Sequence, residues 1–290
     1  MVSLSETNPA AYTIYFLAVT LPAMFSGNPI ISLISLVCSL SYSLTLGRGR
    51  KRYGYYIVFF IVYTLINPIV SHNGKTVLFL ANNTPITLEA LIYGVYAAVM
   101  IISVLLWFSS YSRVMTSDRL CYLLGRVSPR LSLLISMTIR FVHIFGARRR
   151  EVKNAALAEG YFLDGNIIDT IRCELHIMSV LATWSLENGI RTADSMEARG
   201  YGVGRRTSAK SFGFSAFDIA LIVFSVCLSM PAIYLCAAGG VSFEFYPEIK
   251  PPASAHTLTL AYALYALLAM TPTICEIIWR LKWRYLRSRV

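Results

Sequence analysis

Two charged residues occupy the same position in a short sequence that the chain uses twice. Residues 158–161 read Ala-Glu-Gly-Tyr, and residues 198–201, forty positions later, read Ala-Arg-Gly-Tyr. The guanidinium of Arg199 is a permanently charged, forked donor that binds carboxylates, and the carboxylate of Glu159 accepts from basic groups. The chemistry that these two residues offer is therefore the binding of oppositely charged groups.

Each of the two residues also has a plainer interpretation. A cation such as Arg199 at the end of a helix complements the helix dipole and stabilises the helix by roughly 0.3–1 kcal/mol. A carboxylate such as Glu159 opposes the dipole by a similar amount. It should therefore pair with a base of segment 148–153, answer a basic group on a partner, or remain exposed at a small cost. The sequence alone leaves these alternatives open.

A long helical run precedes each copy of the repeat. Leu131–Ala158 and Arg172–Ala198 are each long enough for an extended helix of roughly 42 Å. The glycine after each run suits the left-handed turn that ends many helices. The sequence therefore predicts two long helices, each with one charged side chain at its C-terminal tip.

The sequence contains no arrangement typical of a catalytic or metal centre. The four histidines have neither metal-ligand spacing nor a paired nucleophile, and neither a His-Glu-x-x-His motif nor a nucleophile elbow is present. The glycine-rich segment 200–206 follows a helix and lacks Gly-Lys-Ser/Thr, so a flexible exit from the helix is a better interpretation than a phosphate loop. We expect a non-enzymatic protein without a cofactor or bound metal.

The composition excludes an ordinary soluble domain. Apolar residues make up 56% of the chain and charged residues only 14%, and the apolar residues are grouped in blocks. The cysteines lie mostly within these blocks without metal-ligand spacing, so we expect small buried hydrophobes rather than disulfides or zinc ligands. They are Cys38, Cys121, Cys173, Cys227, Cys236 and Cys275. The N-terminus has no basic region or clear cleavage site, so a removable signal peptide is not expected.

Six apolar blocks predict an all-α integral membrane protein with about six transmembrane helices. The blocks are Tyr12–Ser26, Ile30–Leu46, Tyr55–Val70, Ile86–Phe108, Phe214–Ala238 and Thr257–Trp279. Between the third and fourth blocks, Ser71–Thr84 is predicted to be a polar loop. With both termini in the cytoplasm, all but two of the 26 Lys and Arg residues lie on that side, Lys75 and Lys250 being the exceptions. This positive-inside bias explains the net charge of +11 without nucleic acid as a partner. The predicted domains are transmembrane regions at 1–108 and 214–290 and a cytoplasmic region at 109–213.

Two apolar runs within the cytoplasmic region, 131–145 and 175–186, are shorter than a membrane crossing requires. If both crossed, a basic cluster would move to the outer side, so we favour a cytoplasmic position and keep insertion as the alternative. The first run has apolar residues at helical spacing, and the second helix has a ridge of small residues that lets another helix approach closely. The ridge consists of Ala182, Ser185, Gly189 and Ala193. The apolar stripe is expected to lie against the membrane interface or the spanning bundle.

These motifs resemble a known family. Segment 195–201, Ser-Met-Glu-Ala-Arg-Gly-Tyr, closely resembles the second Ala-Arg-Gly signature of the transmembrane T component of energy-coupling factor (ECF) transporters, the ABC-type importers of cobalt, nickel and vitamins. The first signature of the family aligns with residues 158–160. Segments 140–142 and 148–151 resemble the helix that leads into it, and the early Asn-Pro start and the layout of the spans agree.

The resemblance implies a scaffold in the plasma membrane of a prokaryote. Two ATP-binding-cassette ATPases would bind the helix tips, one at Ala198, Arg199 and Gly200 and the other at Ala158, Glu159 and Gly160. A separate substrate-binding membrane subunit would lie on the apolar face of the long helices, at Leu131, Leu134, Ile135, Ile139 and Val142. ATPase closure would spread the helix ends and tip that subunit, which would choose the micronutrient and release it inside.

The sequence departs from the family pattern at Glu159, because the first signature normally also has Arg at its centre. An acidic pocket on the first ATPase would repel this carboxylate, so that ATPase should carry a compensating base or bind the Arg148–Lys153 cluster instead. An integral membrane enzyme acting on lipid is the alternative function. It would need converging Asp, His or Ser residues at one membrane face, which the sequence does not supply. A channel or stand-alone transporter would need polar residues through several spans or duplicated halves.

Overall fold

The computed structural model describes residues 7–47, 53–70, 76–81, 84–160, 167–204, 213–237, 243 and 255–287. In these ranges the chain is helical apart from one short hairpin. The helices are α1 (Pro9–Phe25), α2 (Pro29–Thr45), α3 (Tyr53–Val70), α4 (Leu88–Val114), α5 (Ser117–Val127), α6 (Pro129–Ala158), α7 (Ile167–Ala198), α8 (Ala216–Ala237) and α9 (Ala255–Arg287). The chain divides into two compact units. Unit 1 comprises Met1–Thr116 and Phe212–Val290, and unit 2 comprises Ser117–Ser211.

Five helices in the described ranges are long and apolar enough to cross a membrane: α3, α4, α6, α8 and α9. Four of them coincide with predicted spans. The first two predicted spans correspond to α1 and α2, apolar helices of 17 residues each, which are shorter than a typical crossing. The fifth long helix is α6, for which the sequence favoured a cytoplasmic position and kept membrane insertion as an alternative. Lys75 and Lys250 lie outside the described residues.

The segment before α4 differs from the sequence prediction. A polar loop was expected up to residue 84, followed by a membrane span from Ile86. Instead, β1 (Val77–Ala81) and β2 (Thr84–Thr87) pair as an antiparallel hairpin. The helix starts only at Leu88, because the side chain of Thr87 accepts a hydrogen bond from Ala90 N and caps it.

Small side chains allow α2 to pack closely against α4 in unit 1. Four serines recur along α2 every three or four residues and are almost fully buried: Ser32, Ser35, Ser39 and Ser43. Trp107 of α4 is fully buried, and its Nε1 donates a hydrogen bond to Ser35 Oγ at 3.1 Å. A stripe of small residues that also offers hydrogen-bond acceptors is a typical helix interface within a bilayer.

Aromatic rings fill the space between α1, α2 and α4. Phe16 of α1 lies 5.5 Å from the Trp107 ring in an edge-to-face arrangement and 5.3 Å from the Tyr111 ring. Tyr15 and Tyr265 are buried too, and their hydroxyls donate to the carbonyl oxygens of Leu268 and Val19. Each buried hydroxyl thus has a hydrogen-bond partner, which avoids the cost of an unsatisfied polar group.

The carboxylate of Asp218 connects the starts of α1 and α8. Asp218 is 2% exposed, and its two oxygens accept hydrogen bonds from Asn8 N at 3.1 Å and Ser215 N at 2.9 Å. Both donors are at helix N-termini, where the helix dipole favours a negative charge. Arg113, in the last turn of α4, donates to Leu46 O after the end of α2 at 2.6 Å.

Further contacts show which helix ends share a face of unit 1. Thr13, near the start of α1, has its Oγ1 3.2 Å from the hydroxyl of Tyr111 near the end of α4. The starts of α1 and α8 and the ends of α2 and α4 therefore lie on one face. The chain leaves unit 1 and returns to it on this face.

We predict that Asp218→Ala destabilises unit 1 by about 2 kcal/mol, because two N–H groups at helix starts lose their buried acceptor. The melting temperature of the detergent-solubilised chain should fall by about 5 °C. Asp194→Ala is the matched control, since Asp194 is exposed on α7 and should tolerate the change within about 0.5 kcal/mol. Equal melting temperatures for the two variants would contradict the role of Asp218.

Candidate functional site

Unit 2 is built from α5, α6 and α7. Ser128 lies between α5 and α6, and Ser132 Oγ in the first turns of α6 donates to Cys121 O of α5 at 2.8 Å. Gly125 permits this close approach, because a Cβ at that position would lie only 3.1 Å from Ser132 Oγ. The start of α6 is thereby held against α5.

An aromatic contact joins α6 to α7. The rings of Phe145 and Trp184 meet edge to face with centroids 5.7 Å apart. One turn along α6 from Phe145, the guanidinium carbon of Arg148 lies 5.8 Å from the centroid of the same indole. Trp184 thus receives both an aromatic and a cation–π contact from α6.

Ionic hydrogen bonds form the second contact between these helices. Glu174 of α7 accepts from Arg149 Nη2 at 2.7 Å and from Lys153 Nζ at 3.2 Å. These hydrogen bonds, that of Arg149 first, hold the pKa of the Glu174 carboxyl below its ordinary value. Arg148 pairs with Glu151 at 2.7 Å. Three bases of the 148–153 cluster are thus bound to Glu151 and Glu174. None of the three pairs with Glu159, although the sequence had left such a pairing open.

The order of the contacts shows that α6 and α7 run in opposite directions. Phe145 meets Trp184, whereas the later residue Lys153 meets the earlier residue Glu174. The C-terminal ends at Ala158 and Ala198 therefore point to opposite ends of the pair. From Trp184, α7 continues for about 20 Å to its own end at 1.5 Å per residue. The two helices, of 30 and 32 residues, are thus rods with separate tips.

Both helices end at a glycine in the left-handed conformation, as the sequence predicts. Gly160 has φ 89° and Gly200 has φ 77°. At the end of α7, Tyr201 N donates to Met196 O and Gly200 N donates to Glu197 O, which is the hydrogen-bond pair of a Schellman motif. At the end of α6, Gly160 N donates to Leu157 O in the corresponding way. Tyr161 lies outside the described residues.

The two charged residues of the repeat each occupy the C-cap position, immediately before the left-handed glycine. Both Glu159 and Arg199 are exposed, and neither forms an ion pair or side-chain hydrogen bond within the described ranges. Ala158 and Ala198 are exposed beside them. The tip of α6 therefore exposes a negative charge, and the tip of α7 exposes a positive charge.

Two large side chains lie beside the charge at the tip of α7: Tyr201, which belongs to the repeat, and Val203, which the sequence does not single out. Tyr201 is 51% exposed and Val203 is 87% exposed, and Val203 N donates to Gly200 O to continue the turn. Arg and Tyr are enriched in the binding centres of protein interfaces. Val203 lies in a glycine-rich segment, which by sequence alone indicates a flexible chain after the helix. Only the hydrogen bond from Val203 N to Gly200 O shows that Val203 lies next to Arg199.

The predicted apolar face of α6 is uncovered in this chain. Leu131, Leu134 and Val142 are 48%, 59% and 61% exposed, and Ile135 and Ile139 are half-buried. None of the residues in the apolar part of α6 is buried. Lipid, or another protein chain, is needed to cover such a surface.

A second uncovered stripe runs along α7. The small-residue ridge continues a row of large apolar residues at helical spacing, all more than half exposed: Ile168, Ile171, Leu175, Met178 and Leu186. At Gly189 an added Cβ would meet nothing within 4 Å. The residues buried within unit 2, Cys173 and Ile177, and the α6 contact Trp184 lie on the other face by the same spacing. The stripe thus faces away from α6.

Comparison with known proteins does not place the chain in a family: no protein-family profile and no curated protein matches it.

Among the described residues, no group of three or more His, Cys, Asp or Glu side chains could hold a metal ion. The cysteines with described side chains are all free. Cys38 and Cys173 are buried as expected, whereas Cys121 and Cys275 are half-buried and Cys227 is exposed. The features of unit 2 that could bind a partner are its two charged tips and the exposed apolar stripes of α6 and α7.

We predict that Gly200→Ala destabilises the end of α7 by about 1 kcal/mol, because a side chain disfavours the left-handed conformation there. Gly189→Ala is the matched control, for which we expect the opposite change in helix stability. It lies within the same helix with open space around it, so Ala should stabilise the helix by about 0.5–1 kcal/mol. Amide hydrogen exchange of residues 195–201 measures both effects. Equal exchange rates in the two variants would contradict the cap.

We also predict that the contribution of Glu174 to unit 2 depends on pH. Its pKa is lowered in the folded chain, so the stabilisation is present above the pKa of an unfolded Glu and is lost as the pH falls through the folded value. Glu174→Gln should lower the melting temperature at pH 7, and the difference from the parent chain should shrink as the pH falls through the folded pKa of Glu174. A difference that does not change with pH would show that the carboxylate charge does not hold α6 to α7.

Proposed function

We propose that this chain is the membrane scaffold of an ECF-type ABC importer, which transmits ATP-driven movement of two ATPase subunits to a substrate-binding membrane subunit. The observation that carries the proposal is the pair of long helices in unit 2. They are joined at Glu174 and Trp184, and their capped tips carry Arg199 and Glu159 at opposite ends. A rod that is held away from its tip acts as a lever.

The tip of α7 has the chemistry of a docking group. Arg199 is exposed, is fixed at the C-cap by the Schellman motif, and lies beside exposed Tyr201 and Val203. A guanidinium in this position can donate two parallel hydrogen bonds to a carboxylate in the groove of one ATPase, while the apolar neighbours exclude water. The short glycine turn keeps the charge at the end of the rod, so movement of the ATPase is transferred along α7.

The tip of α6 requires a different partner surface. Glu159 offers a carboxylate in the corresponding position, and the bases Arg149 and Lys153 are used in the contact with α7. The second ATPase groove should therefore present a basic group to Glu159. Opposite charges on two tips allow each ATPase groove to accept one tip and repel the other.

The uncovered stripes provide the surface for the substrate-binding subunit. The apolar residues of α6 and the stripe of α7, with its small residues Ala182, Gly189 and Ala193, allow close approach of membrane helices. Packing on such a stripe places the partner directly on the rods, so rotation of a rod changes the tilt of the partner. The substrate-binding subunit would select the vitamin or metal ion.

Unit 1 would anchor the rods in the plasma membrane of a prokaryote, with both termini in the cytoplasm. Its four long apolar helices, α3, α4, α8 and α9, supply the spanning segments, together with α1 and α2. The starts of α1 and α8 share a face with the ends of α2 and α4. In this orientation that face is cytoplasmic, and the positive-inside bias is satisfied.

We predict that Arg199→Glu reduces co-purification of ATPase subunits with the tagged chain at least tenfold, because the carboxylate in the groove would then meet a like charge. Arg191→Glu is the matched control. Arg191 lies on the same helix, is exposed and pairs only with Glu187 among the described residues, so its reversal should leave co-purification unchanged. The measurement is ATPase activity together with identification of nucleotide-binding subunits in the eluate from native membranes.

Both variants should insert normally in the membrane, which the membrane fraction of the tagged chain checks. Full ATPase recovery with Arg199→Glu would overturn the role of this tip. Phospholipid turnover by the purified chain alone, without ATPase subunits, would instead support the alternative membrane enzyme.

A further inference from the structure

The C-terminal part of α9 extends beyond the end of α2, against which α9 packs in unit 1. Ser41 Oγ of α2 lies 3.2 Å from Thr273 Oγ1 of α9, and Asn28 Nδ2 at the start of α2 donates to Tyr262 OH. The two helices therefore run in the same direction. α2 ends at Thr45, one turn beyond Ser41, whereas α9 continues to Arg287.

This extension carries a cleft of a distinctive composition. Two tryptophans and three arginines of α9 line this open surface cleft of about 480 Å³ in the described part of the chain: Trp279, Arg280, Trp283, Arg284 and Arg287. The tryptophan rings contact each other with centroids 5.9 Å apart, and Trp283 is 53% exposed. At 100° per residue, all five residues lie on one face of the helix.

The cleft carries positive charge that described acidic side chains do not neutralise. Arg280 pairs with Glu276 at 3.2 Å, one turn towards the bundle. Arg284 and Arg287 form no ion pair with any described residue. Two guanidinium groups next to the exposed indole of Trp283 and the half-buried indole of Trp279 form a site for a ligand with an anionic group and an apolar part.

The position of the cleft identifies the class of ligand. α9 is long and apolar enough to cross a membrane, and tryptophans at the end of a spanning helix lie at the level of the lipid headgroups. Arginines just beyond that level meet the phosphate groups of anionic lipids. Guanidinium forks bind phosphate oxygens in pairs, and indole rings pack against glycerol and the first acyl carbons.

We propose that this cleft binds one anionic phospholipid, with its phosphate on Arg284 and Arg287 and the start of its acyl chains on Trp279 and Trp283. The bound lipid fixes the end of α9 at the membrane surface. The site belongs to α9 alone and does not depend on the transport function proposed above.

The experiment uses the full chain in nanodiscs of phosphatidylcholine that contain about one tenth phosphatidylglycerol. After extraction, native mass spectrometry counts the lipids that remain bound. The parent chain should retain phosphatidylglycerol and not phosphatidylcholine. The double variant Arg284→Gln/Arg287→Gln should bind phosphatidylglycerol about 25-fold more weakly, at about fivefold for each arginine.

Two controls separate a built site from general attraction to a charged surface. Lys282→Gln removes a positive charge from the same helix, about 140° around its axis from Arg287, and should change phosphatidylglycerol binding less than twofold. Trp283→Ala keeps every charge and should still weaken binding, because the acyl contact is lost.

Three results would overturn the proposal. Equal retention of phosphatidylcholine and phosphatidylglycerol by the parent chain would remove the role of charge, and this comparison needs no variant. A loss with Lys282→Gln as large as with the double variant would indicate a diffuse basic surface. Inorganic phosphate at about 10 mM should saturate a site that binds free phosphate with a millimolar dissociation constant. Displacement of phosphatidylglycerol at this concentration would show that the cleft binds free phosphate rather than lipid.

Discussion

One carboxylate and one indole determine what unit 2 can do. Glu174 accepts from Arg149 and Lys153, and Trp184 packs against Phe145 and Arg148. These contacts keep α6 and α7 together over a limited part of their length and leave both C-terminal ends free. Together with the buried side chains of Cys173 and Ile177, they are the described contacts through which a movement of one helix can reach the other.

The buried polar contacts of unit 1 constrain how its helices pack. Trp107 donates to Ser35, and Asp218 accepts from two helix N-termini. Each buried donor that loses its acceptor costs free energy, so these contacts favour one arrangement of the helices. Large apolar side chains are nevertheless exposed in both units, on α3 of unit 1 as well as along both long helices of unit 2. Such surfaces are stable only when lipid or a partner covers them, which accords with a scaffold that works within an assembly.

The helix ends could be predicted from the sequence because the information is local. A glycine after a long apolar run stops the helix, and Gly160 and Gly200 both adopt the left-handed conformation. The contact between α6 and α7 could not be predicted, since Glu174 and Arg149 are far apart in sequence and several other carboxylates are equally available. The hairpin before α4 was missed for another reason, because polar turn residues on both sides of residue 80 favour a loop unless the pairing of β1 with β2 is known. The role of each tip residue remains a prediction that rests on the resemblance at residues 195–201.

The proposed importer function requires the tip of α7 to lie in a nucleotide-binding subunit. Photo-crosslinking in native membranes from a benzoylphenylalanine at position 201, two residues after Arg199, identifies the neighbour of this tip, with position 44 on the exposed side of α2 as the control. We expect an adduct with an ATP-binding-cassette subunit from position 201, with a yield that changes when ATP is added, and only lipid adducts from position 44. Lipid adducts alone from both positions would exclude this arrangement.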